Sequence, residues 1–304
     1  MEVCLPGTGG VIPLENRWLT CCWVEHQGKA LLIDCGEGTQ VALKKAGCKL
    51  SRLNTLLITH FHADHTAGLP GLLLTLGNSG KTTPLTIIGP MGLHLVVAAL
   101  TVIAPVLPYP LYLLELEADK PGKLDADAME IRCLPLKHGI PCFGYRVSVK
   151  RKPIFNPQKA KQLGVPVTLY HALHAGQTVT LPDGRMVKPE MVLDGERAPL
   201  SICYCTDTQP TDGLTEFARN ADLLICEGMY GDESMRGKVK EKGHMLFSDS
   251  ARIARDSGAK RLWLTHFSPA LTAPEQYLDE ARSIFPQTEV AYDGIRIKLG
   301  QKIK

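Results

Sequence analysis

The chain has 304 residues, of which 44% are hydrophobic and 21% charged, enough to bury a sizeable core and ordinary for a globular enzyme. A formal net charge of +3 does not by itself announce nucleic-acid binding; such a substrate has to be held by a local basic patch. Met1-Glu2-Val3-Cys4 lacks the basic-then-apolar pattern of a signal peptide, and ten cysteines without a CxxC pair read as reduced core thiols in the cytoplasm rather than disulfides or a zinc ribbon.

In chain order, short strands are expected at Glu2–Leu5, Trp18–Glu25, Ala30–Asp34 and Thr55–Thr59, with Gly7-Thr8-Gly9-Gly10 as a backbone turn that lacks the spacing of nucleotide loops. Helices are expected over Gln40–Ala46 and His65–Leu76. The longest apolar region, Gly92–Leu114, contains His94 and prolines at 105, 108 and 110, so a buried helix and then an extended segment are expected there, and no membrane span. Further strands fall at Leu85–Ile88, Met129–Leu136 and Gly144–Val149.

From about 151 to 199 the texture changes to prolines and scattered basic residues, with a short helix at Pro157–Leu163 and a turn at Pro182-Asp183-Gly184-Arg185. This reads as an arm projecting from one 304-residue domain, too poor in large apolar residues for a core of its own. Beyond it, strands at Leu200–Cys205, Asp222–Cys226, Arg261–Thr265 and Glu289–Leu299 alternate with helices at Asp212–Asn220, Ser248–Ser257 and Pro274–Phe285. The whole suits an α/β fold, a four-layer αβ/βα sandwich.

The chemistry lies in His60-Phe61-His62-Ala63-Asp64-His65, directly after the apolar run Leu56-Leu57-Ile58. Imidazole nitrogen and carboxylate oxygen are ligands that zinc and similar ions prefer, and a strand ending in such a cluster delivers them to a sheet edge. His60 and His62 can reach one ion, Asp64 and His65 a second. Three more candidates, His138, Asp207 and His266, each follow a strand-like run and supply the number of ligands a two-metal site still needs.

The HxHxDH cluster, these three residues and Asp34-Cys35-Gly36 resemble the metallo-β-lactamase fold. Gly36-Glu37-Gly38-Thr39-Gln40, Gly7-Thr8-Gly9-Gly10 with Pro13 and Arg17, Gly144-Tyr145-Arg146, Thr265-His266-Phe267-Ser268-Pro269 and the arm resemble the ribonuclease Z family nearly end to end. The resemblance implies that His60, His62 and His138 bind one zinc ion, that Asp64, His65 and His266 bind the other, and that Asp207 bridges them; manganese or iron can share such ligands. It also implies that Asp64 takes the proton of the attacking water, and that Glu227 and His244 form a relay protonating the leaving oxygen, where the plainer reading is a surface ion pair. Asp34 is expected to orient a ligand histidine through its free ring nitrogen. His26, His94, His171 and His174 read as ordinary polar residues, although the last two fall in the arm at helical spacing, where they could touch RNA.

The function so implied is a zinc-dependent endoribonuclease that cuts the 3′ trailer from precursor tRNA by two-metal phosphodiester hydrolysis, leaves a 3′-hydroxyl, grips the RNA with the arm and works as a homodimer, with no membrane association. Two departures touch substrate rather than chemistry. After Lys161–Pro166 comes Val167-Thr168-Leu169-Tyr170 where the family's arm carries Gly-Pro, and Ala270 stands where an arginine often follows the His-Phe-Ser-Pro run. The alternative is therefore a metal-dependent hydrolase of small phosphodiesters or other esters on the same scaffold. A metal-free RNA-binding or scaffold protein is disfavoured because all seven candidate ligands are present.

Overall fold

The computed structural model describes residues 1–104 and 106–300. Strands β1 (Glu2–Gly7), β2 (Cys21–His26) and β3 (Lys29–Ile33) are followed by α1 (Thr39–Lys45), β4 (Leu53–Leu57), α2 (Ala63–Thr66), α3 (Leu69–Asn78), β5 (Leu85–Pro90), α4 (Leu93–Leu100) and β6 (Leu111–Leu116). Then come β7 (Gly122–Ala126), β8 (Met129–Pro135) and β9 (Phe143–Val149). Residues 149–200 hold α5 (Pro157–Gln162), α6 (Tyr170–His174) and a hairpin of β10 (Val179–Thr180) and β11 (Met186–Val187). The last stretch gives β12 (Leu200–Cys205), α7 (Asp212–Phe217), β13 (Leu223–Glu227), α8 (Arg236–Lys242), α9 (Phe247–Ser257), β14 (Leu262–Thr265), α10 (Leu278–Ile284), β15 (Thr288–Val290) and β16 (Ile295–Lys298).

Two seven-stranded mixed sheets result, in the orders β16-β1-β2-β3-β4-β5-β6 and β15-β14-β13-β12-β9-β8-β7. Their central strands are apolar on both faces, whereas the edge strands β6, β7 and β16 alternate with exposed positions, and the period of two sorts the side chains. On the first sheet Cys4, Trp23, Leu32 and Ile87 pack against Leu43 of α1, Leu72 and Leu76 of α3 and Val97 of α4. On the second, Cys203, Cys205, Leu224 and Leu264 pack against Leu214, Phe247, Ala251 and Ala281 of α7, α9 and α10. Residues of the other parity, among them Leu31, Ile33, Tyr204 and Trp263, are buried as well, because the sheets lie face to face. Thr20 and Thr265 share a hydroxyl hydrogen bond of 2.9 Å across them, and the Tyr145 hydroxyl donates to the Ile58 carbonyl at 2.6 Å. The layers run helix, sheet, sheet, helix. Burying each leucine in them contributes about 1.5–3 kcal/mol.

Several expectations need correction. The closing strand over Glu289–Leu299 is two strands in different sheets: β15 pairs in parallel with β14, and β16 pairs antiparallel with β1. Asp293 enforces the crossing, since its carboxylate accepts from the Trp18 amide at 2.7 Å and the Thr8 hydroxyl at 2.9 Å. The helix over His65–Leu76 breaks between α2 and α3. At Gly68 a β-carbon would sit 1.9 Å from the Gly36 carbonyl oxygen, so the chain passes where only glycine fits. The helix inside Gly92–Leu114 is not buried. Leu93 and Val97 are covered, but Leu95 is 75% exposed, and beyond the helix Ile103 and Val106 are 74% and 81% exposed. Pro105 itself lies outside the described residues.

Residues 149–200 form a compact unit of their own, distinct from 1–148 with 201–304. Contrary to the expectation, this unit has a core: Ala160, Val165, Leu173, Val179, Leu181, Val187 and Val192 are buried together, with Phe155 and Tyr170 packed against them. Asn156 caps α5 by accepting from the amides of Gln158 and Lys159. The core is assembled mainly from valines, with two leucines and an alanine, spread along the segment, and composition alone hides it.

Candidate metal centre

The candidate ligands gather beyond the carboxyl ends of strands, where loops from the two sheets meet. β4 runs on through Ile58 and Thr59 to His60; His62 precedes α2, which carries Asp64 and His65. Asp34 follows β3, Asp207 lies two residues past β12, and His266 is the first residue after β14. These three have φ of 64°, 56° and 58°, a left-handed turn unusual for residues other than glycine that costs about 1–3 kcal/mol each.

Two groups result. His60 Nε2 lies 3.0 Å from His62 Nδ1, which lies 3.4 Å from His138 Nε2. His65 Nε2 is 3.3 Å from His266 Nε2, and both are within 3.5 Å of Asp64 Oδ2. Asp207 stands between the groups, with Oδ2 3.3 Å from His65 Nε2 and Oδ1 3.4 Å from His266 Nε2 and 3.9 Å from His60 Nε2. Each set of ligand atoms is close enough to surround one ion.

The residues fit divalent metal ions. Nitrogens sharing a tetrahedral shell with bonds of about 2.0–2.1 Å are about 3.3 Å apart, the spacing found here. Asp207 Oδ2 and His266 Nδ1 are buried without a hydrogen-bond partner among the described residues, and a buried carboxylate oxygen in that condition is costly unless an ion satisfies it. Burial, together with the neighbouring imidazoles, pushes His60 well below the ordinary histidine range, which leaves a neutral nitrogen available as a ligand.

A layer of supporting contacts fixes the ligands. Asp34 Oδ2 accepts from His65 Nδ1 at 2.8 Å, the orienting contact expected of it, and Oδ1 accepts from the Thr59 amide at 2.8 Å. His138 Nδ1 donates to the Gly243 carbonyl at 3.2 Å. The Val11 amide, at φ 72°, donates to Asp64 Oδ2 at 2.7 Å. The glycine-rich segment is thus more than a turn: a β-carbon at Gly10 would lie 2.8 Å from His266 Nε2. Val11, Thr59 and Tyr204, whose hydroxyl lies 3.4 Å from Asp34, went unnoticed in the sequence. Two of them act through backbone amides, which no residue type betrays.

His244 and Glu227 also meet here. Glu227, the last residue of β13, accepts from His244 Nδ1 at 2.8 Å and from the Thr208 amide at 2.6 Å. Burial pushes its carboxyl up, yet His244 and His266 hold it down to about 2. Burial pulls His244 down, and Glu227 with Asp207 outweighs it, so the imidazole is raised and the pair is ionic. His244 is half-buried, and its ring stacks 5.7 Å from that of His266.

The other histidines lie elsewhere. His26 ends β2, and His94 pairs with Glu115 on the exposed start of α4. In the 149–200 unit His174 Nε2 donates to the Pro153 carbonyl at 2.9 Å, a structural tie, while His171 is exposed. All ten cysteines are buried free thiols. A cleft of about 400 Å³ opens at the opposite ends of β4 and β5, beside Thr55, Thr86 and Tyr112.

Comparison with known proteins bears on the family and the fold. The family model of the beta-lactamase superfamily domain matches residues 156–267, and that of the anti-Pycsar protein Apyc1 matches residues 1–93. A ribonuclease Z from Lachnospira eligens is 44% identical over 299 residues, covering 98% of both chains, and one from Clostridium kluyveri is 46% identical, covering 96% of both. The chain belongs to the ribonuclease Z family. As a member it is a metal-dependent hydrolase of metallo-β-lactamase fold. The crystal structure of human tRNase Z, short form, superposes with a TM-score of 0.70 at 25% identity, over 99% of this chain and 100% of that one. A metallo-beta-lactamase fold protein of Bacillus subtilis, YhfI, matches at 0.69 and 21% identity, a likeness of fold. Among the described residues of this ribonuclease Z family member no helix is long and apolar enough to cross a membrane.

Proposed function

We propose that the chain is an endoribonuclease that removes the 3′ trailer from precursor tRNA. The observation that carries this reading is the pair of buried Glu227 and half-buried His244 beside the candidate metal ligands, because an alkoxide leaving group needs a proton that metal ligands alone do not provide. Full-length relatives named ribonuclease Z support the choice of substrate.

In this reading His60, His62 and His138 would hold one ion and Asp64, His65 and His266 the other, with Asp207 placed to serve both. Zinc suits the nitrogen-and-oxygen donor set, which manganese or iron can share. Such ions, when bound, would supply a water acidified toward neutrality and neutralise charge on the phosphoryl oxygens. Asp64, fixed by the Val11 amide, receives a proton from the attacking water. His244, held by Glu227 through Nδ1, gives its Nε2 proton to the 3′ oxygen as the bond to phosphorus breaks. The water oxygen stays on the 5′ phosphate of the trailer, and the tRNA ends in a 3′-hydroxyl.

The 149–200 unit is the part we assign to gripping the folded RNA. Its Arg151, Lys152, Lys161, Lys188 and Arg197 supply phosphate contacts, so binding is salt-sensitive. A homodimer accounts for the exposed Leu95, Ile103 and Val106, an apolar surface that a second copy would cover. Ten free thiols suit the reducing cytoplasm.

The test is to load the purified protein with zinc, measure metal content, and offer a precursor tRNA and, in parallel, bis-p-nitrophenyl phosphate. Trailer release that leaves a 3′-hydroxyl on the tRNA is the expected outcome. Turnover of the small diester beside an intact precursor overturns the tRNA reading in favour of a small-phosphodiester hydrolase.

A further inference from the structure

We infer that Thr59 is a positioning residue through which one carboxylate, Asp34, orients a histidine of each candidate ion: His65 directly, and His60 by way of the Thr59 hydroxyl. The inference rests on the two-ion reading above and deepens it, giving a role to a side chain outside the ligand set.

The available protons decide the arrangement. Asp34, Thr59, His60 and His65 are all fully buried. Thr59 Oγ1 lies 3.0 Å from each carboxylate oxygen of Asp34 and 2.9 Å from His60 Nδ1. A carboxylate only accepts, and a hydroxyl has one proton to donate. That proton goes to Asp34, so Oγ1 is left to accept from His60 Nδ1. An imidazole protonated at Nδ1 keeps its lone pair on Nε2. For His60 that nitrogen is the one turned to the other candidate ligands, 3.0 Å from His62 Nδ1 and 3.9 Å from Asp207 Oδ1. The same carboxylate accepts from His65 Nδ1 at 2.8 Å, which leaves His65 Nε2 free toward Asp64 and His266.

Competing contacts are longer. Cys142 Sγ is 3.8 Å from His60 Nδ1, and Thr59 Oγ1 is 3.4 Å from His65 Nδ1, so neither displaces the partners just named. The backbone holds the carboxylate in place. The Asp34 amide donates to the Leu57 carbonyl at 2.8 Å, and the Thr59 amide donates to Asp34 Oδ1 at 2.8 Å. Thr59 thus grips Asp34 through both its amide and its hydroxyl, and the residue it steers is its own neighbour in the chain. The strained φ of 64° at Asp34 is what aims one carboxylate at both targets.

The test uses the full-length protein loaded with zinc, its two affinities resolved by competition against a chelator. Thr59→Val keeps the shape and removes the hydroxyl; it should weaken one ion about tenfold and leave the other within about threefold. Asp34→Asn should weaken both ions, and Thr59→Ser, which restores the hydroxyl, should return the affinity to within about twofold of the unaltered protein. A second measurement needs no variant: nuclear magnetic resonance of the unaltered, zinc-loaded protein with isotope-labelled histidine should find the His60 proton on Nδ1. Unchanged affinities or equal losses at both ions in Thr59→Val, a Thr59→Ser as weak as Thr59→Val, or a His60 proton on Nε2 overturns the inference and leaves the two-ion reading standing. An unaltered protein that takes up fewer than two ions overturns that reading, and the inference with it.

Discussion

The metal centre and the 149–200 unit are built on opposite principles. Residues as distant in sequence as Val11, His60, His138, Asp207 and His266 converge on the centre, which buries polar groups in strained backbone. The 149–200 unit closes on itself with a few aliphatic side chains and keeps its charges outside. The first spends fold stability on chemistry; the second is a local module of marginal core. The two should therefore fail separately, one in turnover and the other in RNA affinity.

The largest expected effect tests whether the centre acts as a unit. Asp207→Ala should lower kcat on precursor tRNA by about 10³-fold or more and reduce metal content, while leaving RNA binding in a filter assay within a few-fold. Retained metal and activity would show that Asp207 is not shared between ions. Next, His244→Ala should cost about 10²–10⁴ in kcat on RNA, yet far less on bis-p-nitrophenyl phosphate, whose leaving group departs without a proton. Equal losses on both would make His244 structural. Replacing 152–198 by a short linker between β9 and β12, neighbours in one sheet, should raise KM for precursor tRNA by about 10²-fold with small-diester turnover largely kept. Collapse of small-diester turnover would place the unit inside the catalytic body. The smallest effect is Leu173→Ala in the unit's core. It should cost about 2–5 kcal/mol of local stability, read as faster amide exchange confined to 149–200, with metal content unaltered.

The candidate centre could be read from the sequence because residue types able to hold a metal are rare and follow strands: the parallel β4, β12 and β14, and β8, which is antiparallel to β7 and β9. His60, His138, Asp207 and His266 each follow a recognisable apolar run. The Val11 amide was not legible, since any residue but proline supplies one, and Gly10 looked like a turn because its close approach to His266 exists only in three dimensions. The sheets were predicted well in their centres and poorly at their margins. Apolar alternation runs on past Val290, and only Asp293 reaching back to Trp18 and Thr8 reveals a change of sheet. Helix α8, Arg-Gly-Lys-Val-Lys-Glu-Lys, was missed because a single buried residue, Val239, carries its packing. The core of the 149–200 unit was missed for a related reason: valines spread over a proline-rich stretch show no period.

The left-handed turns at Asp34, Asp207 and His266 have an evolutionary consequence. Glycine adopts that conformation without strain, so Gly at any of the three would relieve the backbone while deleting a side chain that the centre uses. Random mutagenesis selected for heat resistance alone should therefore drift toward inactive glycine variants at these positions. Selection for turnover should hold all three residues and recover stability elsewhere, in the helices that cover the sheets.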